Sequence, residues 1–176
     1  MRKEILICVL LCGLIFFGCS SVPDATDEKP TLIIGEVYFT GENLTGTPHL
    51  NMGLFRMGIE VTLIDSAGNE VLLKTDRAGI FYLNDVREGR YRISKMLVKS
   101  DRGGWVSTSP SPPFSFEIVP EQVNNIGRIE WHRNANKSTY NYNNAYDSVQ
   151  NDFETRYKKS NWINGNWNNV NLTRDL

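Results

Sequence analysis

Side chains suited to covalent or metal chemistry are few in this chain. Thiols occur at Cys8, Cys12 and Cys19, and imidazoles at His49 and His132. A zinc site draws on Cys and His in close pairs, whereas the two histidines lie far apart and neither has a cysteine beside it. Serines abound, but none sits in a strand-to-helix nucleophile elbow or in an arguable Ser-His-acid arrangement. Asp65 and Asp76 stand in the turn sequences Asp65-Ser66-Ala67-Gly68-Asn69 and Thr75-Asp76-Arg77-Ala78-Gly79, where a carboxylate bonds its own backbone. No catalytic residue, no metal site and no enzymatic activity are expected.

The thiol that stands out is Cys19. It follows the basic start Met1-Arg2-Lys3 and a thirteen-residue apolar run from Ile5 to Phe17. That run is short of the roughly 20 residues a helix needs to span a bilayer, and its basic flank and small terminal residue mark a secretory signal. Phe16, at −3 from Cys19, suits the ordinary signal peptidase poorly, whereas Gly18-Cys19 suits another cut. The string Leu14 to Ser20 resembles the lipobox of bacterial lipoproteins. The resemblance implies cleavage between Gly18 and Cys19, with a diacylglyceryl group and an N-acyl chain on Cys19 and no other cofactor. An uncleaved anchor or a buried apolar helix is the alternative. Cleavage would leave 158 residues with no second thiol, so acylation explains Cys19 better than disulfide or metal chemistry. One acyl chain anchors marginally and two or more hold firmly. With Ser20 after the cysteine, the resemblance favours the outer membrane of a host that has one. Ser20 to Pro30 is polar and Pro-bounded, the composition of a flexible tether.

A formal net charge of −1 supplies no basic face for nucleic acid, and export argues against that partner. The partners expected are the membrane, through the lipid, and an envelope protein or a glycan.

The elements that must position any binding surface follow from periodicity. Ile33, Gly35, Val37 and Phe39 alternate with Ile34, Glu36 and Tyr38, while Ile59, Val61 and Leu63 alternate with Glu60 and Thr62. Period two with one polar face predicts half-buried antiparallel strands. Further strands are predicted at Val71 to Thr75, Ile80 to Leu83, Arg90 to Val98, Trp105 to Ser107, Phe114 to Ile118 and Ile126 to Trp131. The result is an all-β antiparallel sandwich of about seven to eight strands over 31–131, large enough to be stable without disulfides.

Four stretches carry a second resemblance: Ile34-Gly35-Glu36-Val37, Gly58 to Leu63, Thr75 to Leu83, and Glu88-Gly89-Arg90-Tyr91-Arg92-Ile93. They look like the carboxypeptidase regulatory-like domain, a transthyretin-like, Ig-like sandwich also similar to collagen-adhesin B repeats. The likeness covers Leu32 to Val98 well and the strands up to Trp131 more loosely. Gly79 and Gly89 fall where hairpins turn with positive φ. Phe81, Leu83, Tyr91 and Ile93 are expected to face inward. The family implies a spacer, stalk or binding module. The related fold of hydroxyisourate hydrolases carries a Tyr-Arg-Gly-Ser ending, which Asn171 to Leu176 lacks.

Two regions are candidate contact surfaces. The connection from Thr40 to Met57 is longer than the family needs and carries Leu50, Met52, Leu54 and Phe55; such loops are often functional, although Leu54 to Met57 could also begin the next strand or cover an open end. In the C-terminal segment, 132–176, His132 to Tyr142 reads as irregular. Tyr146, Val149, Phe153 and Tyr157 then recur at helical spacing, predicting an amphipathic helix over about 145–159. Its stripe either lies on the sandwich or docks an envelope protein. Tyr140, Tyr142, Trp162 and Trp167, set among asparagines, could stack on carbohydrate; alternatively the indoles cover hydrophobic surface. Sequons at Asn43, Asn136 and Asn171 are expected to stay unmodified.

Overall fold

The computed structural model describes residues 22, 30–41, 57–76, 78–100, 105–107, 111–134 and 137–175. The leader, Cys19, most of the tether and the loop carrying Leu50, Met52, Leu54 and Phe55 lie outside the described residues.

Strands β1 (Leu32–Gly41), β2 (Met57–Asp65), β3 (Glu70–Lys74), β4 (Ile80–Asn84), β5 (Gly89–Ser100), β6 (Trp105–Ser107), β7 (Phe114–Ile118) and β8 (Val123–Asn134) fall where alternation placed them. Three more follow in the segment beyond: β9 (Lys137–Asn143), β10 (Trp167–Asn169) and β11 (Thr173–Arg174). The described residues thus hold eleven strands, with the extra three supplied by the C-terminal segment. The irregular stretch expected before Tyr142 is corrected: most of it is β9, with Ser138 and Tyr140 buried and Lys137, Thr139 and Asn141 exposed.

One sheet has the order β10-β8-β1-β4, with β9 also on β8; the other runs β11-β7-β5-β2-β3, with β6 also on β5. Pairings in the second sheet are all antiparallel. In the first, β8 runs parallel to both β1 and β10. A uniformly antiparallel sandwich is therefore corrected in this sheet, because the chain returns to β1 by a long crossover and not by a hairpin.

Between the sheets lies the main core, in which Ile33, Val37, Phe39, Ile59, Val61, Leu63, Phe81, Tyr91 and Ile93 are buried, with Leu83 packed against it. Trp131 sits at its heart, 4.6 Å from the Phe39 ring centroid in edge-on contact, and donates its Nε1–H to Ser138 Oγ at 3.1 Å. Burying an indole while satisfying its donor secures both the area and the hydrogen bond.

The turns behave as their residues dictate. Asp65 Oδ1 accepts from the backbone N–H of Ala67 and Asn69, and Asp76 Oδ1 accepts from Ala78 and Ile80. Gly79 and Gly89 adopt φ of 89° and 125°, conformations that a side chain would disfavour.

Helix α1 (Tyr146–Arg156) lies within the predicted window. Val149, Phe153 and Tyr157 are buried in a second core on the outer face of the β10-β8-β1-β4 sheet, together with Leu32, Ile34, Ile80, Val123 and Trp162. The apolar stripe of α1 thus belongs to the fold, which corrects its use as a docking surface. β1 in turn is buried on both faces, with Ile33 inward and Leu32 and Ile34 under the helix.

Candidate functional site

The second core includes one residue from far upstream. Val22 is buried (2 % exposed) in the same cluster as Tyr157 and Trp162. It stands three positions after Cys19, and an extended chain covers at most about 3.6 Å per residue. Val22, within the stretch expected to act as a flexible tether, is seated in this core, and residues 19–21 and 23–29 lie outside the described residues.

Near this core the surface is indented. A depression of about 200 Å³ is lined by Pro30, Glu121, Gln122, Val123, Asn161, Trp162, Gly165 and Asn166. Its walls are positioned by backbone bonds. Leu32 N–H donates to Gln122 O at 3.0 Å, and Val123 N–H to Asn166 O at 2.8 Å. Glu121 holds φ at 59°, and its N–H donates to Thr31 Oγ1 at 2.9 Å. On the far side Ser160 caps the 3-10 turn Asn161–Asn164, its Oγ accepting from Trp162 N–H. The indole and Val123 give this hollow an apolar side, while the amides of Gln122, Asn161 and Asn166 can donate and accept at its rim.

The four aromatics considered for carbohydrate stacking are not brought together. Tyr140 and Tyr142 alternate inward on β9, where Tyr140 is buried and Tyr142 packs against the main core. Trp162 is buried in the second core and Trp167 packs against it, on the opposite face of the sheet. Trp167 Nε1–H donates to Ile163 O. The platform is corrected: β9 pairs with β8, and that register turns both tyrosines away from the indoles. Trp162 alone reaches the depression, with 5 % of its surface exposed.

Two carboxylates beside α1, Glu36 and Asp76, are held in fold contacts. Arg128 Nε donates to Glu36 Oε2 at 2.8 Å, and burial raises the Glu36 pKa above its ordinary value despite the guanidinium. Tyr157 donates its hydroxyl to Asp76 Oδ2 at 3.2 Å; burial and then the nearby carboxylate raise its pKa. His132 Nδ1 lies 2.7 Å from Thr40 Oγ1 at the end of the β1–β8 pair.

Sequence reasoning missed two buried amides. Asn124 and Asn125 are fully buried. Asn124 Nδ2 donates to Val119 O, and its Oδ1 accepts from Val119 N–H. Asn125 Nδ2 donates to Tyr146 O, fixing the start of α1. Adjacent amides opening an apolar strand were the available signal, because such groups are buried only when partnered.

No family model matches this chain, and no curated protein matches it.

Proposed function

We propose that this chain is a lipid-anchored protein of the bacterial cell envelope whose sandwich is a non-catalytic binding or structural module. The carrying observation is the cysteine placed directly behind a short secretory signal, followed three residues later by Val22 seated in a core. A lipid on Cys19 would then lie within three residues of a side chain seated in the fold. The motifs from Leu32 to Val98 support a carboxypeptidase regulatory-like module, whose members serve as spacers and binding domains. Envelope partners would meet it at the loop carrying Leu50, Met52, Leu54 and Phe55 or around the depression at Trp162.

The test is incorporation of a labelled fatty acid in the native host. Wild-type chain should take up label and fractionate with membranes, and Cys19→Ala should lose the label. A Cys19→Ala protein that is cleaved normally and stays membrane-bound would refute the reading. Crosslinking in the same cells then identifies the partner.

A glycan-binding role keeps one specific support, the amide rim of the depression. A short sugar seated between Gln122, Asn161 and Asn166 should change Trp162 emission on titration. An Asn166→Ala variant that responds identically to a broad glycan panel would remove this second reading.

A further inference from the structure

Resting on the lipid-anchored reading, we propose that the α1-bearing end of the body lies against an anionic bilayer surface, held there by Val22 and by Lys158 and Lys159. Two independent observations carry this orientation. The first is reach: from Cys19 to the buried Val22 the chain spans at most about 11 Å. A body fixed at Val22 stays within that distance of the headgroups, on the side where its second core opens. The second is charge. Lys158 and Lys159 are exposed immediately after Tyr157, which shares the second core with Val22. α1 carries its exposed acid, Asp147, in the first turn, about 15 Å from Tyr157 along the helix axis at 1.5 Å per residue; its other acids, Asp152 and Glu154, are half-buried, and Glu154 accepts from Gln150. Lys158 and Lys159, with the exposed Arg156 beside Asp76, make the end nearest the anchor the more basic one, suited to anionic headgroups. The opposite face of the sandwich, where Leu72 stands 57 % exposed on β3, then points away from the membrane and is free for partners.

The mature chain has no thiol other than the acylated Cys19, so single cysteines can be labelled cleanly. Full-length acylated protein carrying Thr155→Cys, an exposed position in the last turn of α1, or Leu72→Cys is labelled with a fluorophore and placed in phosphatidylcholine–phosphatidylglycerol vesicles containing headgroup-nitroxide lipid. Quenching at position 155 should exceed that at position 72 several-fold. A Gly-Ser spacer inserted between Ser21 and Val22 should lower quenching at 155 while the protein still floats with the vesicles. Equal quenching at both positions in vesicle-bound, acylated protein overturns the orientation and leaves the anchor standing. An intact mass without acyl chains removes the anchor itself, and the orientation with it.

Discussion

Arg128 donates through Nε to Oε2 of Glu36 at 2.8 Å, joining directly paired residues of the parallel strands β1 and β8. The Glu36 side chain is 7 % exposed, and the Arg128 guanidinium also lies 5.9 Å from the centroid of the Tyr38 ring. An ion pair this sheltered adds little net stability, although removing one partner leaves a costly charge. Its main role is to fix register beneath α1.

A pH signature follows. Burial is the largest influence on Glu36 and raises its pKa above 4.5. The folded state then binds this proton more tightly than the unfolded chain does. The resulting stability is fully present below pH 4.5 and is lost as pH rises through the raised folded value. Glu36→Gln cannot titrate, so the stability of wild type relative to the variant should fall as pH increases. Urea unfolding of both proteins from about pH 4 to about pH 7 checks the sign. A wild type that gains stability relative to Glu36→Gln as pH rises would contradict burial as the dominant influence.

Asp76 ties the β3–β4 turn to the end of α1. Its Oδ1 accepts from two backbone N–H groups, at 2.8 and 3.0 Å, and its Oδ2 accepts from the Tyr157 hydroxyl. Asp76→Ala strands all three donors and should cost about 2 kcal/mol. Tyr157→Phe removes one hydroxyl and should cost about 1 kcal/mol. Because the residues share a bond, the double variant should be less destabilised than the sum. Strict additivity in denaturant midpoints would mean that turn and helix are not coupled through this contact.

Gly35 marks a close approach in the main core. A Cβ built there would lie 2.7 Å from both Ile126 Cγ1 and Phe81 Cζ. Gly35→Val must push both side chains off their rotamers, and overpacking of this kind costs about 1–3 kcal/mol. Gly35→Ala combined with Ile126→Ala should cost less than the sum of the two single changes, since Ile126 Cγ1 and Cδ1 are two of the three atoms that the new Cβ meets. Thermal melts of these variants test this, and strict additivity would count against the assigned contact.

Why these contacts were only partly legible has a physical basis. The strands from β1 to β8 could be read because period-two alternation and turn carboxylates are local signals, as at Ile59, Val61 and Leu63 or at Asp65 and Asp76. The alternation of Ser138, Tyr140 and Tyr142 was equally local, but an Asn- and Lys-rich composition masked it. β10 owes its existence to a parallel partner, Val123 to Asn125, and three residues carry no detectable period. Glu36 looked solvent-facing because α1, which covers it, lies more than a hundred residues later in the chain. Trp162 and Trp167 looked available among asparagines for the same reason: the apolar surface they cover is assembled from β1, β4 and β8.

Phe153 tests whether the helix and the sandwich are one cooperative unit. Its ring is fully buried, 4.9 Å from the Tyr157 centroid and 5.8 Å from that of Trp167. Truncation to Ala should cost about 3–5 kcal/mol through lost transfer energy and the cavity left behind. If α1 were an accessory, Phe153→Ala would melt it early and leave the sandwich midpoint unchanged. The shared surface argues otherwise, because releasing α1 exposes Leu32, Ile34, Ile80 and Val123 on strands that also build the main core. Far-ultraviolet and near-ultraviolet dichroism should therefore report a single transition at a lower midpoint, the mark of two-state unfolding. Two separated transitions would show that the second core folds independently, and Val22 would then be held by a part of the molecule that can let go.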